Sequence, residues 1–181
     1  DTIRPKRRLK LDERRYEAPY YNRQQLQHFL SCVEELNDPQ ASIVFRLLAY
    51  TGMREGEVVG LKWTDFNESK GTLNIRRTVA KGDNAQRILQ TPKTPASQRE
   101  ISLDSVTINI LKRWKTNQRK ILTALGFNIF SKDQFIISDE NNNYQYAAYP
   151  YALLKKLRKK TSIDYITIHG LRHTHCTLLI E

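Results

Sequence analysis

Cysteine is scarce in this 181-residue chain, and long apolar runs are missing from it. Two cysteines, Cys32 and Cys176, cannot form a disulfide framework, so each is expected to pack as a small apolar side chain in a reducing compartment. No apolar stretch approaches the roughly 20 residues that span a bilayer, and the first residues lack the pattern of a signal peptide. No membrane partner is expected, and the expected location is cytoplasmic. Acidic residues are also few: 19 Asp and Glu stand against 30 Lys and Arg, a net charge of +11 with a pI near 9.7. An excess of that size suits a polyanionic partner, most simply nucleic acid. At this length the chain can bury one core, with or without an arm.

Residues 1–21 carry Arg4, Lys6, Arg7, Arg8, Lys10, Arg14 and Arg15, broken by Pro5 and Pro19, with no helical apolar stripe. The pattern predicts an extended basic strap linking to the domain that begins at residue 22, with Arg7 and Arg8 as candidate DNA contacts. A merely solvated tail is the plainer reading of such a charge run. Asn22 with Gln25 forms a capping-box start, after which Leu26, Phe29, Leu30 and Val33 keep helical spacing. Asp38-Pro39 opens a second helix with Ile43, Val44, Leu47, Leu48 and Tyr50 on a broad apolar face, and Gly52 can close it in a left-handed turn. The chain restarts at once with Arg54-Glu55-Gly56-Glu57. Arg54 therefore sits in a tight joint between two helices, with Glu57 spaced to pair with it or with a backbone donor.

From Thr64 the period changes. Leu73, Ile75, Arg77 and Val79 alternate with polar neighbours, and residues 87–91 and 98–103 do likewise, which predicts a three-stranded antiparallel sheet. Its second loop holds Lys93 between Pro92 and Pro95, where an ammonium group could be aimed at a ligand, although an ordinary exposed lysine reads the same way. Asp104 or Ser105 caps a long helix ended by Gly126, and residues 149–161 form another with Leu153, Leu154 and Leu157 inward. Lys155, Lys156 and Lys159 crowd its outer surface, a pattern that serves a solvated face and phosphate contacts equally. The fold class is thus α+β, mainly helical with a small sheet.

The segment Thr167-Ile168-His169-Gly170-Leu171-Arg172-His173-Thr174 concentrates the chemistry. On a helix, His169 and Arg172 share a face, so an imidazole and a guanidinium can converge on one phosphate, the arginine as a fork to two oxygens. A metal reading competes: His169 and His173 are spaced like two ligands, with His175 and Cys176 nearby, but Gly170 stands where a zincin places its glutamate base. A helix start with hydrogen-bonded histidines and one surface arginine is the blandest alternative.

Three segments, taken together and in this order, resemble the tyrosine recombinase or phage-type integrase family: residues 49–57 with Leu61 and Trp63, residues 91–101, and residues 169–174. The flavour is similar to integrases of Gram-positive phages and integrative elements. The resemblance implies a DNA breaking-rejoining catalytic domain over residues 22–181, with Arg54, Lys93, His169 and Arg172 catalytic and Glu57 and His173 supporting. It implies double-stranded DNA as substrate, a homotetramer on DNA at full length, no metal or other cofactor, because two arginines can clamp the transition-state charge, and no ATP, because the bond energy is kept in a 3′-phosphotyrosine link. The family's nucleophile follows the second arginine, whereas none of the nine tyrosines here follows Arg172. The nucleophile is therefore expected beyond residue 181, and this fragment alone is expected to be inactive. The chain's ending on Leu178-Leu179-Ile180-Glu181, with a glutamate at the negative end of a helix dipole, fits that expectation. A non-catalytic DNA-binding or regulatory module of the same fold is the alternative, and type IB topoisomerases fit the motifs less well.

Overall fold

The computed structural model describes residues 19–82, 86–91, 98–131 and 133–179. Lys93, Arg7 and Arg8 lie outside the described residues, as does most of the basic strap. The elements run α1 (Arg23–Glu34), α2 (Pro39–Thr51), α3 (Glu55–Val59), β1 (Phe66–Asn67), β2 (Thr72–Ile75), β3 (Thr78–Lys81), β4 (Arg87–Gln90), β5 (Arg99–Ser102), α4 (Ser105–Ala124), α5 (Tyr149–Lys160) and α6 (Ile168–Leu178). Among the described residues no helix is long and apolar enough to cross a membrane.

Local chemistry sets most helix ends. Asn22 accepts from the Gln25 N–H at 2.9 Å while the Gln25 side chain takes the Asn22 N–H at 3.0 Å, which satisfies two orphan donors at the start of α1. Asp38 caps α2 through the Ala41 N–H, and Gly52 closes it with φ +60°. Asp104 caps α4 and also takes Arg46 of α2 at 2.8 Å, tying the two helices together. Thr167 caps α6 through the Gly170 N–H at 2.8 Å, so the helix begins at Ile168.

α2 is the central rod. Ile43, Val44, Phe45, Leu47 and Leu48 are all buried, and α1, α3, α4, α5 and α6 pack around it. Each such side chain contributes about 1.5 to 3 kcal/mol by leaving water. Phe29 of α1 meets Phe45 edge-on at 5.2 Å. The core also takes in Tyr21, only 2 % exposed, whose hydroxyl donates to the Asp164 carbonyl at 2.6 Å and whose N–H donates to Thr174 Oγ1 at 2.9 Å. The last residues before α1 are thereby fastened onto α6. Cys32 is buried as expected, but Cys176 is exposed on α6.

The strand region differs from a single sheet of three long strands. β1, β2 and β5 form one antiparallel sheet in that order, and β3 pairs with β4 in a separate ribbon. The alternating run from Leu73 to Val79 divides at Arg76-Arg77. Arg77 turns inward to the carboxylate of Asp65, which is 1 % exposed, and the strand beyond it changes partner. Side-chain parity survives this break, because Leu73, Ile75 and Val79 all stay inward. Alternation alone therefore cannot reveal it.

Candidate active site

Three helix ends meet at one hollow. α2 stops at Gly52, α3 starts directly after Arg54, and α6 starts at Ile168. The space between them, about 250 Å³, is lined by Met53, Arg54, Glu55, Ile168, His169 and Arg172. Arg54 and the pair His169 and Arg172, more than a hundred residues further along the chain, thus face a common cavity. A larger hollow of about 410 Å³ lies between the α1–α2 turn and α4, lined among others by Glu34, Asp38, Arg113 and Trp114. It sets one cation, Arg113, against two carboxylates, whereas the smaller hollow sets Arg54 and Arg172 against Glu55 alone, so the smaller is the better anion site.

Each cation has its own support. The Arg172 guanidinium donates to the Gly52 carbonyl, at the negative end of the α2 dipole, where a cation is favoured. Gly52 is required twice at this point. Its φ of +60° suits glycine, and a Cβ there would stand 2.6 Å from His175 Cδ2. Arg54 keeps its side chain 61 % exposed but is steadied by Glu57, whose Oε1 takes the Arg54 guanidinium at 3.2 Å and whose Oε2 takes the Arg54 backbone N–H at 2.9 Å. Glu57 is only 3 % exposed. Burial pushes its carboxyl up, but hydrogen bonds from Arg99 and Arg54 outweigh this and hold it below the usual carboxylate range.

His169 is exposed at the first turn of α6, and its ring meets His173 edge-on at 4.6 Å. Desolvation, followed by the nearby His173, Arg172 and Arg54, holds its imidazole below the ordinary 6.5. A largely neutral imidazole at pH 7 can accept a proton or share a hydrogen bond with a phosphoryl oxygen. His175 is held low too, first by burial, despite a bond to the Ala49 backbone that opposes the shift. Among the described residues no cluster of three or more His, Cys, Asp or Glu is arranged to hold a metal.

Lys155 and Lys159 are exposed on α5, while Lys156 reaches Asp38 of α2 at 3.4 Å; none of the three lines the hollow. Reading the sequence alone left Arg99 without a role. It forks onto Glu57, with Nη1 at 3.2 Å from Oε1 and Nη2 at 2.9 Å from Oε2. The available signal was parity: Arg99 shares the inward-leaning face of β5 with Ile101.

Residues 20–181 match the model of the Phage integrase family. A tyrosine recombinase XerC-like protein of Caldanaerobacter subterraneus subsp. tengcongensis is 30% identical over 159 residues, covering 82% of this chain and 40% of that protein. The ICEBs1 integrase of Bacillus subtilis is 25% identical over 171 residues, covering 92% of this chain and 44% of that one. The chain thus spans less than half the length of these two relatives. Among solved structures, the Tn1549 transposon integrase in complex with transposon right end DNA superposes with a TM-score of 0.73 at 22% identity, covering 93% of this chain and 55% of that one. XerA recombinase does so with a TM-score of 0.65 at 18% identity, covering 93% and 52%. These likenesses concern the fold.

Proposed function

The chain belongs to the phage integrase family, and from that premise we propose that it is the catalytic domain of a site-specific DNA recombinase that cuts and rejoins strands through a 3′-phosphotyrosine intermediate. The observation that carries this reading is the convergence of Arg54, His169 and Arg172 on one hollow. A tyrosine hydroxyl from outside residues 1–181 attacks the phosphorus, a Tyr–O–P bond forms, the P–O5′ bond breaks, and the leaving 5′ oxygen takes a proton. Arg54 and Arg172 neutralise the charge that builds on the non-bridging oxygens of the pentacoordinate transition state. His169 bonds the phosphoryl group or relieves the attacking hydroxyl of its proton, and Lys93 supplies the proton to the 5′ oxygen as general acid. Glu57 and His173 steady these groups from behind. Reversal by a different 5′ hydroxyl rejoins the strands without ATP.

Double-stranded DNA is the partner in this reading, held by phosphate contacts from Lys155, Lys156 and Lys159 and from Arg7 and Arg8. The cytoplasm is its place of work, and at full length a homotetramer assembles on the DNA. The exposure of Lys155 and Lys159 and the net charge of +11 support duplex binding. Affinity should fall with salt on a log-log slope of about −0.9 per neutralised phosphate. The decisive experiment uses the longer protein that carries the tyrosine and a nicked suicide duplex. Wild type should be trapped covalently, and Arg54→Ala or Arg172→Ala should cleave about 10²- to 10³-fold more slowly, as for loss of one oxyanion donor. Wild-type rates in both variants would remove the two arginines from the chemistry. Residues 1–181 alone should bind duplex DNA and form no adduct.

A further inference from the structure

The Glu57 carboxylate is shared between two guanidinium groups that come from different parts of the fold. Its Oε1 accepts from Arg54 Nη1 and Arg99 Nη1, both at 3.2 Å, and its Oε2 accepts from the Arg54 N–H and Arg99 Nη2, both at 2.9 Å. Arg99 thus grips both carboxylate oxygens in a planar fork, a geometry that fixes orientation as well as distance. Arg54 grips the same two oxygens with one guanidinium nitrogen and its own backbone. Among the described residues, Glu57 is the one hydrogen-bonding partner recorded for the Arg54 head, which is otherwise largely in water. Where that head points therefore depends on where the carboxylate is held, and the carboxylate is held from the far side by Arg99.

Arg99 is itself rooted in the sheet. It opens β5, which pairs with β2 through Ile75 opposite Arg99 and Leu73 opposite Ile101, and both β2 partners are buried. α3, which carries Glu57, is set against the other ribbon at van der Waals limits. A Cβ on Gly56 would stand 2.4 Å from the Val79 carbonyl oxygen and 2.6 Å from Thr78 Oγ1, so the helix backbone rests directly on β3. The short helix is thereby clamped between β3 below and the Arg99 fork at its side. In sequence, Arg99 stands six residues after Lys93.

We propose that Arg99 is a positioning residue for strand cleavage, one that aims the Arg54 guanidinium into the hollow through the shared Glu57 carboxylate and so sets the sheet and the α2–α3 joint as a single unit. This rests on the cleavage reading above. In this scheme Arg99 touches neither DNA nor the reacting atoms and acts on cleavage through Glu57 and Arg54. Its loss leaves Glu57 with half its bonds and frees a largely exposed arginine to sample orientations that do not bracket a phosphate. Displacing a catalytic group by about 1 Å can cost on the order of 10²-fold in rate.

The test uses the longer protein that carries the tyrosine, a nicked suicide duplex, and single-turnover cleavage at saturating protein. Duplex affinity and thermal midpoint are measured alongside for wild type, Arg99→Ala, Arg99→Lys, Arg54→Ala and the Arg54→Ala/Arg99→Ala double variant. Arg99→Ala should cleave about 10- to 100-fold more slowly with duplex affinity nearly unchanged. Arg99→Lys, which keeps the charge but loses the fork, should recover part of the rate. In the Arg54→Ala background the Arg99→Ala change should add almost nothing, because the group it aims is gone. Wild-type cleavage by Arg99→Ala would overturn the proposal, as would a full additional penalty in the Arg54→Ala background. Should Arg99→Ala fail to fold, the comparison passes to Arg99→Lys with and without Arg54→Ala, where additive losses overturn the proposal in the same way. If wild type is never trapped, or if Arg54→Ala cleaves normally, the cleavage reading itself falls and this inference with it.

Discussion

Replacing Gly52 by alanine separates two physical costs at the α2–α6 joint. Gly52 holds φ +60°, and an added Cβ would stand 2.6 Å from His175 Cδ2. A side-chain-bearing residue in the left-handed region costs about 1 to 2 kcal/mol. The contact adds to this, because the imidazole has to turn aside, and a side chain pushed about 30° off its rotamer costs about 0.5 to 1.5 kcal/mol. Together they amount to about 1.5 to 3.5 kcal/mol, and a domain of this size loses roughly 2 to 4 °C per kcal/mol, so the midpoint should fall by about 3 to 14 °C. Gly126 serves as the control. It holds φ +79° at the end of α4 with nothing within 4 Å of an added Cβ, so Gly126→Ala bears the backbone cost alone. Scanning calorimetry of both variants beside the parent gives the comparison, and Gly52→Ala must lose more. Equal losses would refute the claim that the His175 contact carries energy, and an unchanged midpoint for Gly52→Ala would refute the backbone strain as well. Because the Gly52 carbonyl receives Arg172, Gly52→Ala in the longer protein should also slow cleavage, while Gly126→Ala should not.

Acid should unfold the domain partly through Glu57. Its folded value lies below the ordinary 4.5, so its contribution is present above that value and is lost as pH falls through the folded one. Glu57→Gln should flatten the acid limb of a midpoint-against-pH curve, and parallel limbs would contradict this. His169 and His175, both held below 6.5, act in the same direction: the folded state takes up protons less readily, so stability declines as pH drops below that value. At the other extreme, burial pushes the Tyr21 phenol up to about 12 from 10.0. Its contribution is complete below pH 10.0 and is lost as pH rises toward 12. Tyr21→Phe should cost about 0.5 to 1.5 kcal/mol at neutral pH, through the lost bond to the Asp164 carbonyl, and should flatten the alkaline limb of chemical denaturation. An alkaline limb as steep as the parent's would show that Tyr21 is not the group responsible.

What was legible in the sequence is what depends on near neighbours. The Asn22–Gln25 box, the Asp38-Pro39 start, the Asp104 cap and the glycine stops at 52 and 126 are all encoded within four residues of where they act. Helical periodicity marked Phe29, Ile43, Leu47 and Leu48 as core for the same reason. The division of the strand run at Arg76-Arg77 was not legible, because its cause is Asp65, twelve residues away, buried in the turn before β1. Tyr21 was hidden by its setting: a basic, proline-broken stretch reads as solvated, while the ring is fixed by Asp164 and Thr174 at the far end of the chain. Arg99 escaped notice because its partner is 42 residues away.

The site divides along the same line. Arg54, His169 and Arg172 stand beside Gly52, Gly56 and Gly170, and glycine-marked joints between helices are where a sequence announces a close approach. The hollow's electrostatics come instead from how those joints meet. α2 presents its negative end, and Arg172 is bound there by the Gly52 carbonyl, so part of that cation's field is absorbed by the helix rather than repelling Arg54. α6 presents its positive end, with N–H groups of its first turn beside His169, and this favours an anion in the hollow while disfavouring a proton on the imidazole. Glu57, which pairs with Arg54 and Arg99, is buried behind the hollow, whereas Glu55 lines it with a carboxyl that burial pushes up. Two arginines and the α6 N-terminus against the single lining carboxyl of Glu55 thus leave an excess of positive potential facing the cavity. An anion entering there meets cations already held in place, and the cost of gathering them has been met by the folding of three helix ends onto one another.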